Sequence, residues 1–213
     1  MIAREGHKIL FGAAFVVFIS GLLMIVFQTF LWNIIFIVTT AFLLFTLYFF
    51  RDPRRVRPDG DNLVISAADG KIVRIQKIND DIVGESATLI SIFLSVFNVH
   101  VNRMPVTGKF ESVNFQKGKF LAAFDHRASD ENECTDIIIN KSGIRLRVKQ
   151  IAGILARRIH CYAEEGQDMK CGDRLGFIRF GSRTDLVLPE SIAIKIHLNQ
   201  KVIGGETIIG EFK

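Results

Sequence analysis

The chain has 213 residues and a net charge of +5, from 27 Lys and Arg against 22 Asp and Glu. That length holds one globular domain plus an additional segment, and the positive charge is not gathered into the basic, aromatic-interleaved stripe of a nucleic-acid binder. The three cysteines, Cys134, Cys161 and Cys171, are an odd number without CxxC spacing, which excludes a disulfide framework and a zinc signature and leaves reduced structural thiols.

The additional segment comes first. From Ile9 to Phe50 there are 42 residues without a charge. As one helix this run would be about 63 Å long at roughly 1.5 Å per residue, whereas a hydrocarbon core is about 30 Å thick. Two helices use the length, Ile9–Phe27 and Leu31–Phe50, with Gln28, Thr29, Trp32 and Asn33 near the turn and Trp32 suited to the interface. A signal peptide has a shorter apolar core and a small-residue cleavage site. A hairpin buried in a soluble protein would show a polar face, and these segments have none. Residues 1–50 are therefore expected to be a transmembrane helical hairpin. Arg4 and Lys8 precede it, and Arg51, Arg54, Arg55 and Arg57 follow it. Positive flanks stay on the cytoplasmic side, which would put both ends, and residues 51–213, on the cytoplasmic face of the cell membrane. The basic cluster after the hairpin suits anionic headgroups; a plain topology determinant accounts for it equally well.

Residues 51–62, RDPRRVRPDGDN, form a polar, proline-containing linker. Beyond it the hydrophobic pattern has period two. Lys71–Ile78 alternates. Ile144, Leu146 and Val148 alternate with Arg145, Arg147 and Lys149, and Ile192, Ile194, Ile196 and Leu198 with Ala193, Lys195 and His197. Such alternation marks half-buried strands. Phe120–Glu133 reads as helix or irregular loop, with SDENE as a polar patch. Gly166, Gly172, Gly176 and Gly181 punctuate the last third at hairpin-like spacing. Residues 63–213 are thus expected to be a mainly-β domain.

Three segments of that domain could carry chemistry. In LGFIRFGSRTDLVLPE, residues 175–190, Gly181-Ser182 separates a strand-like run (Phe177, Ile178, Phe180) from another (Leu186, Val187, Leu188). It reads as a plain turn, or as a serine poised to attack the sterically open glycine carbonyl before it. In AADGKI, Asp69-Gly70 alone reads as a tight turn before a strand. In FLSVFNVHVNRMPVTG, residues 93–108, Asn98, His100 and Asn102 would share one face of an extended strand, with Arg103 beside them. That face is either a solvated edge or a site that binds a carboxylate or phosphate and shuttles a proton. His126, His160 and His197 lack comparable neighbours, and His7 lies at the membrane boundary. No HExxH, GxSxG or Walker sequence occurs.

Taken together, FFRDPRR at 49–55, ADGKI at 68–72, FLSVFNVHVNRMPVTG at 93–108 and GDRLGFIRFGSRTDLVLP at 172–189 resemble the phosphatidylserine decarboxylase family in its short, membrane-anchored bacterial and archaeal form. The pieces occur in the family's order and span most of the β domain. The GDRLG turn and the strand pattern around it resemble a barrel-sandwich of the lipoyl-like kind, and the family resemblance implies a proenzyme that cuts itself between Gly181 and Ser182. A large β chain, 1–181, and a small α chain from 182 would result. Ser182 would attack the Gly181 carbonyl and turn the amide into an ester, with donors needed for the oxyanion. Loss of the Ser182 α-proton would expel the Gly181 carboxylate, and the dehydroalanine would hydrolyse to a pyruvoyl group and ammonia. That group would take the substrate amine as a Schiff base and act as the electron sink for loss of carbon dioxide. Neither pyridoxal phosphate nor a metal is expected.

The resemblance further implies that Asp69 orients or polarises a histidine base during self-processing, and that His100 handles substrate and delivers a proton to the product carbanion. Longer bacterial members carry a second histidine three positions on, where this chain has Arg103. Which group activates Ser182 is therefore open between His100 and Asp69. Asn98, Asn102, Arg103 and Arg183 are candidate substrate contacts; for Arg183 a surface ion pair is equally open. The implied substrate is phosphatidylserine in the membrane and the product phosphatidylethanolamine, in phospholipid biosynthesis; a homo-oligomer is left open. Two other readings stand beside this one. A pyruvoyl enzyme for another amine substrate leaves the hairpin unexplained. A non-enzymatic, membrane-anchored β-sandwich module of the carrier kind would need an exposed lysine at a hairpin tip, where this chain offers Gly181-Ser182-Arg183.

Overall fold

The computed structural model describes residues 1–118, 132–153, 159–179 and 181–213. The segment expected as helix or loop at 120–133 falls outside them up to residue 131, as do His126 and Phe180. The chain divides into two compact units, Met1–Arg54 and Arg55–Lys213. The break lies inside the expected linker 51–62, and residues 55–62 belong to the second unit.

In the first unit, helix α1 runs His7–Phe27 and helix α2 Phe30–Phe49, within two residues of the spans expected. Helix α1 stops where Gln28 turns left-handed at φ 48° while its N–H still bonds to the Met24 carbonyl. Extended Thr29 then starts α2, and Trp32 stacks on Phe27 with centroids 5.8 Å apart. With mean hydropathies of 2.8 and 2.2, both helices are long and apolar enough to cross a bilayer. Phe11, Phe15, Phe18, Phe30 and Ile37 stand exposed on them, as side chains facing lipid would. The helices meet through small and hydroxyl residues, the usual contact where packing rather than water exclusion drives association. Ser20 and Thr39 share a 2.9 Å hydrogen bond, and a Cβ on Gly21 would stand 3.2 Å from the Phe36 ring. Ala3 N–H donates to the Phe50 carbonyl at 2.8 Å and Asp52 N–H to that of Met1 at 2.7 Å. Both ends of the hairpin therefore emerge on one side of it.

The second unit is built of antiparallel sheets around one core. Eight strands form the largest sheet: β2 (Gly70–Asp80), β3 (Gly84–Leu94), β5 (Gly108–Gln116), β6 (Cys134–Lys141), β7 (Ile144–Ile151), β9 (Asp168–Met169), β11 (Ser182–Leu188) and β13 (Lys201–Val202), in the order β13-β2-β3-β11-β7-β6-β5-β9. Strands β4 (Val101–Arg103), β8 (Ile159–Cys161) and β10 (Arg174–Ile178) form a sheet in the order β4-β10-β8. Strands β1 (Leu63–Ile65), β12 (Ile192–Ile194) and β14 (Ile208–Phe212) form another in the order β1-β14-β12. Ile90, Ile92, Leu146, Val148, Leu186 and Leu188 of the large sheet bury against Leu175 of the second and Ile192 and Ile209 of the third. Each such side chain contributes about 1.5–3 kcal/mol by leaving water. This is the mainly-β architecture expected. One expected strand is shorter: β12 ends at Ile194, because the chain turns at His197–Gln200.

The opposite face of the large sheet carries charge. Arg147 alternates with Leu146 and Val148, and contacts Asp80, Asp81 at 3.1 Å and Asp136 at 3.4 Å while only 11% exposed. Burial raises the Asp136 carboxyl above its ordinary value even beside Arg147. Its neutral form therefore suits the fold better. That contribution is complete below the unfolded pKa near 3.8 and fades as pH rises through the higher folded value. Arg147→Met strands these carboxylates and should cost about 3 kcal/mol in denaturant unfolding of the detergent-solubilised protein. Adding Asp136→Asn should return part of that loss at pH 7; a double variant no more stable than Arg147→Met would contradict the assignment.

Candidate active site

Three strand ends meet at one edge of the large sheet. Lys71 pairs with Phe93, which sets Gly70 beside Leu94. Ser182 pairs with Leu94 from the other side. The start of β2 and the start of β11 thus flank the end of β3, roughly 10 Å apart at two strand spacings. Asp69 is the residue before β2, and Ser182 is the first residue of β11. The close approach requires Gly70: a Cβ there would stand 2.3 Å from the Phe93 carbonyl oxygen.

Ser182 lies on the inward face of β11 with Thr184, Leu186 and Leu188. It is fully buried, and among the described residues its hydroxyl has no hydrogen-bond partner. A buried hydroxyl without a partner carries a desolvation cost of about 1–3 kcal/mol, unusual unless the group has another task. Gly181, just before it, has φ +61°, a left-handed conformation that favours glycine. No described atom lies within 4 Å of where its Cβ would be.

His100 stands just before β4 of the second sheet. Strand β10 runs antiparallel to β4, and Ile178 N–H donates to the His100 carbonyl at 3.2 Å. Four residues after Ile178 the chain enters β11 at Ser182. The His100 ring is buried, 6.2 Å from the Phe177 ring between centroids. Its Nδ1 lies 2.9 Å from the Asn98 carbonyl oxygen. A carbonyl can only accept, so Nδ1 carries the proton and Nε2 is the basic nitrogen of the neutral ring.

Asp69 has a cation for a neighbour. Nη2 of Arg55 lies 2.8 Å from both carboxylate oxygens, and Gly204 N–H donates to Oδ1 at 2.9 Å. Arg55 was read from sequence only as part of the basic flank. In the fold it belongs to the β unit, and it holds the aspartate at the start of β2.

The remaining candidates separate. Asn98, His100 and Asn102 do not share one strand, as the spacing suggested. The chain turns at residues 95–98, and Asn98 Oδ1 accepts from Ser95 N–H at 2.9 Å and from its hydroxyl at 2.7 Å. Strand β4 begins only at Val101. Asn102 is fully buried; its Nδ2 donates to Thr184 Oγ1 at 3.2 Å, and its Oδ1 accepts from Gln150 Nε2 at 2.7 Å. Arg103 is half-buried and donates to the Gly172 carbonyl at 3.1 Å. Arg183 points to the face of β11 away from Ser182. It pairs with Asp185 at 3.0 Å, the two side chains 2% and 1% exposed, so its ion pair is a buried one rather than a surface one. A cleft of about 710 Å³ lies at the far end of the sheet, around Asn140, Lys141 and Glu165, and none of these candidates lines it. Cys134 is buried, and burial raises the thiols of Cys161 and Cys171 above their ordinary value; all three are thiols suited to packing rather than to nucleophilic chemistry.

Sequence reasoning passed over Gln150 and Thr184. Both break an inward-facing apolar alternation, Gln150 after Leu146 and Val148, Thr184 before Leu186 and Leu188, and that break was the available signal.

A family model described as phosphatidylserine decarboxylase matches residues 42–210. A phosphatidylserine decarboxylase proenzyme of Chlorobaculum tepidum is 50% identical over 171 residues, 80% of this chain and 79% of the relative. One from Pelodictyon phaeoclathratiforme is 47% identical over 178 residues, 84% of each chain. One from Geobacter metallireducens is 42% identical over 210 residues, 98% of this chain and 95% of the relative. Similarity of this strength, running through the end of α2 and nearly all of the β unit, makes the chain a member of the phosphatidylserine decarboxylase family, an enzyme family of carboxy-lyases.

Proposed function

We propose that this chain is a proenzyme that cuts itself between Gly181 and Ser182, and that the mature enzyme converts phosphatidylserine to phosphatidylethanolamine at a membrane, as a step of phospholipid synthesis. The observation that carries this is the buried Ser182 hydroxyl, without a partner among the described residues, directly after an unobstructed left-handed glycine. The chain's membership of a family with proenzyme relatives supports it.

The Ser182 hydroxyl is a weak nucleophile until a base takes its proton. His100 is the base favoured here. Its Nδ1–H is spent on the Asn98 carbonyl, which presents Nε2 as acceptor, the orienting task that a carboxylate performs in a catalytic triad. Oxygen attack on the Gly181 carbonyl breaks the carbon–nitrogen bond, and the proton ends on the Ser182 nitrogen. Gly181 leaves its carbonyl open because it has no side chain. Asp69, fixed by Arg55 and Gly204, supplies the negative charge at this edge of the sheet.

The cofactor implied is a pyruvoyl group at position 182, and the residue there fits its origin, since it is a buried serine at a strand start. When formed, such a group supplies an electron sink for the pair left by departing carbon dioxide. His100 would then deliver the proton that replaces the carboxylate on the substrate carbon. Two helices long enough to span a bilayer suit a substrate that is itself a lipid. Their basic flanks, Arg4 and Lys8 before and Arg51 and Arg54 after, favour a cytoplasmic β unit.

Intact mass of the purified protein tests the central claim. Two polypeptides are expected, the smaller starting at a blocked position 182; a single uncut chain with decarboxylase activity would sink it. Ser182→Ala should stay one chain and be inactive. His100→Ala should lower decarboxylation by about 10²–10⁴-fold, the usual contribution of an acid–base group; a loss under about tenfold would assign the proton elsewhere. Arg55→Ala should slow cleavage at least about tenfold by releasing Asp69, whereas Arg54→Ala, at an exposed position, should cleave at the wild-type rate. Equal rates for the two arginine variants would reduce Arg55 to a topology charge.

A further inference from the structure

Beside Ser182 the two sheets of the site are joined by a row of buried amides. Gln150 on β7 donates to Asn102 on β4, and Asn102 donates to Thr184 on β11. None of the three is exposed. Gln150 and Thr184 are register partners within the large sheet, so Asn102 reaches across from the second sheet and touches two neighbouring strands of the first. Strand β10 makes room for this crossing. A Cβ on Gly176 would stand 2.5 Å from Gln150 Nε2 and 2.4 Å from the His160 carbonyl oxygen.

The direction of the chain gives this link its consequence. The end of β10 lies beside His100, and β11 begins four residues later. His100 stands two residues before Asn102, and Ser182 two residues before Thr184. Period two puts Ser182 and Thr184 on one face of β11. Joining Asn102 to Thr184 therefore ties the segment that carries His100 to the strand that carries Ser182. We propose that Gln150 is a positioning residue for self-cleavage, and that through Asn102 and Thr184 it fixes the position of the segment that carries His100 against the strand that carries Ser182. This rests on the self-cleavage reading above and adds to it a residue that touches no reacting atom.

The chemistry of Gln150 agrees. Its inward neighbours along β7 are Leu146 and Val148, both wholly buried in the core. An aliphatic residue would suit position 150 equally for packing. Instead the strand buries an amide whose Oε1 has no partner among the described residues, a net cost to stability. What the position gains is the donor at the amide's other end. That donor fixes which way the Asn102 amide points, with Oδ1 toward Gln150 and Nδ2 toward Thr184. Without it the amide is free to turn over and release the Thr184 hydroxyl. Misplacement of a reacting group by about 1 Å can cost 10²-fold in rate, so a loosened link should appear in the rate of cleavage before it appears in folding.

The test follows cleavage of full-length protein after cell-free synthesis, read on denaturing gels. Gln150→Leu and Thr184→Val keep the shape and remove the hydrogen bonds; each should slow cleavage about tenfold or more. Thr184→Ser keeps the hydroxyl and should cleave within about threefold of wild type, a rescue that loss of packing alone would not give. Thermal unfolding of the same variants, each combined with Ser182→Ala so that none is cut, should show the β unit folded at the assay temperature. Wild-type cleavage by Gln150→Leu or Thr184→Val overturns the proposal, as does a Thr184→Ser variant as slow as Thr184→Val. A fall in folded fraction large enough to explain the slowing also overturns it. The underlying reading fails separately: if His100→Ala cleaves normally, the base assignment is lost whatever Gln150 does, whereas a slow His100→Ala beside a normal Gln150→Leu removes only Gln150's role.

Discussion

The pairing of β11 with β3 is the constraint on which the site depends. In the register found, Ser182, Thr184, Leu186 and Leu188 face the core and Arg183, Asp185 and Val187 face the other way. Side chains alternate strictly along a strand, so a slip of one residue would exchange the two sets. Ser182 would leave the core face, and Arg183 and Asp185 would enter a core of isoleucine, leucine and valine. Burying those charges without their present geometry is prohibitive. The Arg183–Asp185 ion pair, at 3.0 Å and almost wholly enclosed, therefore works as a register device for the strand whose first residue is Ser182.

Polar groups at this edge of the β unit are few, and they do different things. Asp69 is held by a cation from residue 55 and by a backbone N–H from residue 204. His100 is oriented by a main-chain carbonyl two residues before it. Asn102 is spent on structure. The Ser182 hydroxyl differs from all of these in lacking a described partner. An uncommitted hydroxyl suits a group that reacts, because a strong ground-state hydrogen bond would have to be broken first.

The helical unit follows a different rule. Its side chains are apolar all round, and its interhelical contacts use Ser20, Thr39 and the bare backbone of Gly21. Bulky apolar residues point outward, the reverse of the β unit. Water cannot drive two such helices together when lipid surrounds them, so close approach and hydroxyl hydrogen bonds do. Arg51 closes the hairpin with its guanidinium 3.9 Å from the centroid of the Tyr48 ring, a pairing at home where apolar and aqueous phases meet.

Much of this was legible in the residues. The uncharged run from Ile9 to Phe50 dictates two helices, each long enough to span a bilayer, because 42 residues exceed one bilayer thickness and leave no polar face. Alternation in 71–78 and 144–149 dictates strands, because period two is geometric. The order of the ADG, NVH and FGS motifs pointed to the family. Three things needed the fold. Asn98 left the strand because its own side chain caps the turn at Ser95, a local bond that spacing alone does not reveal. Arg55 joined Asp69 although 14 residues and a turn separate them. Gln150, Asn102 and Thr184 met although they lie on three strands in two sheets. Periodicity states which face a residue occupies; only the packing of one sheet on another decides what stands opposite it. Hence the sequence by itself determined the elements, their inward faces and the local setting of Ser182, while the tertiary structure decided which buried polar groups pair across the core, since those contacts join residues whose separation along the chain carries no periodic signal.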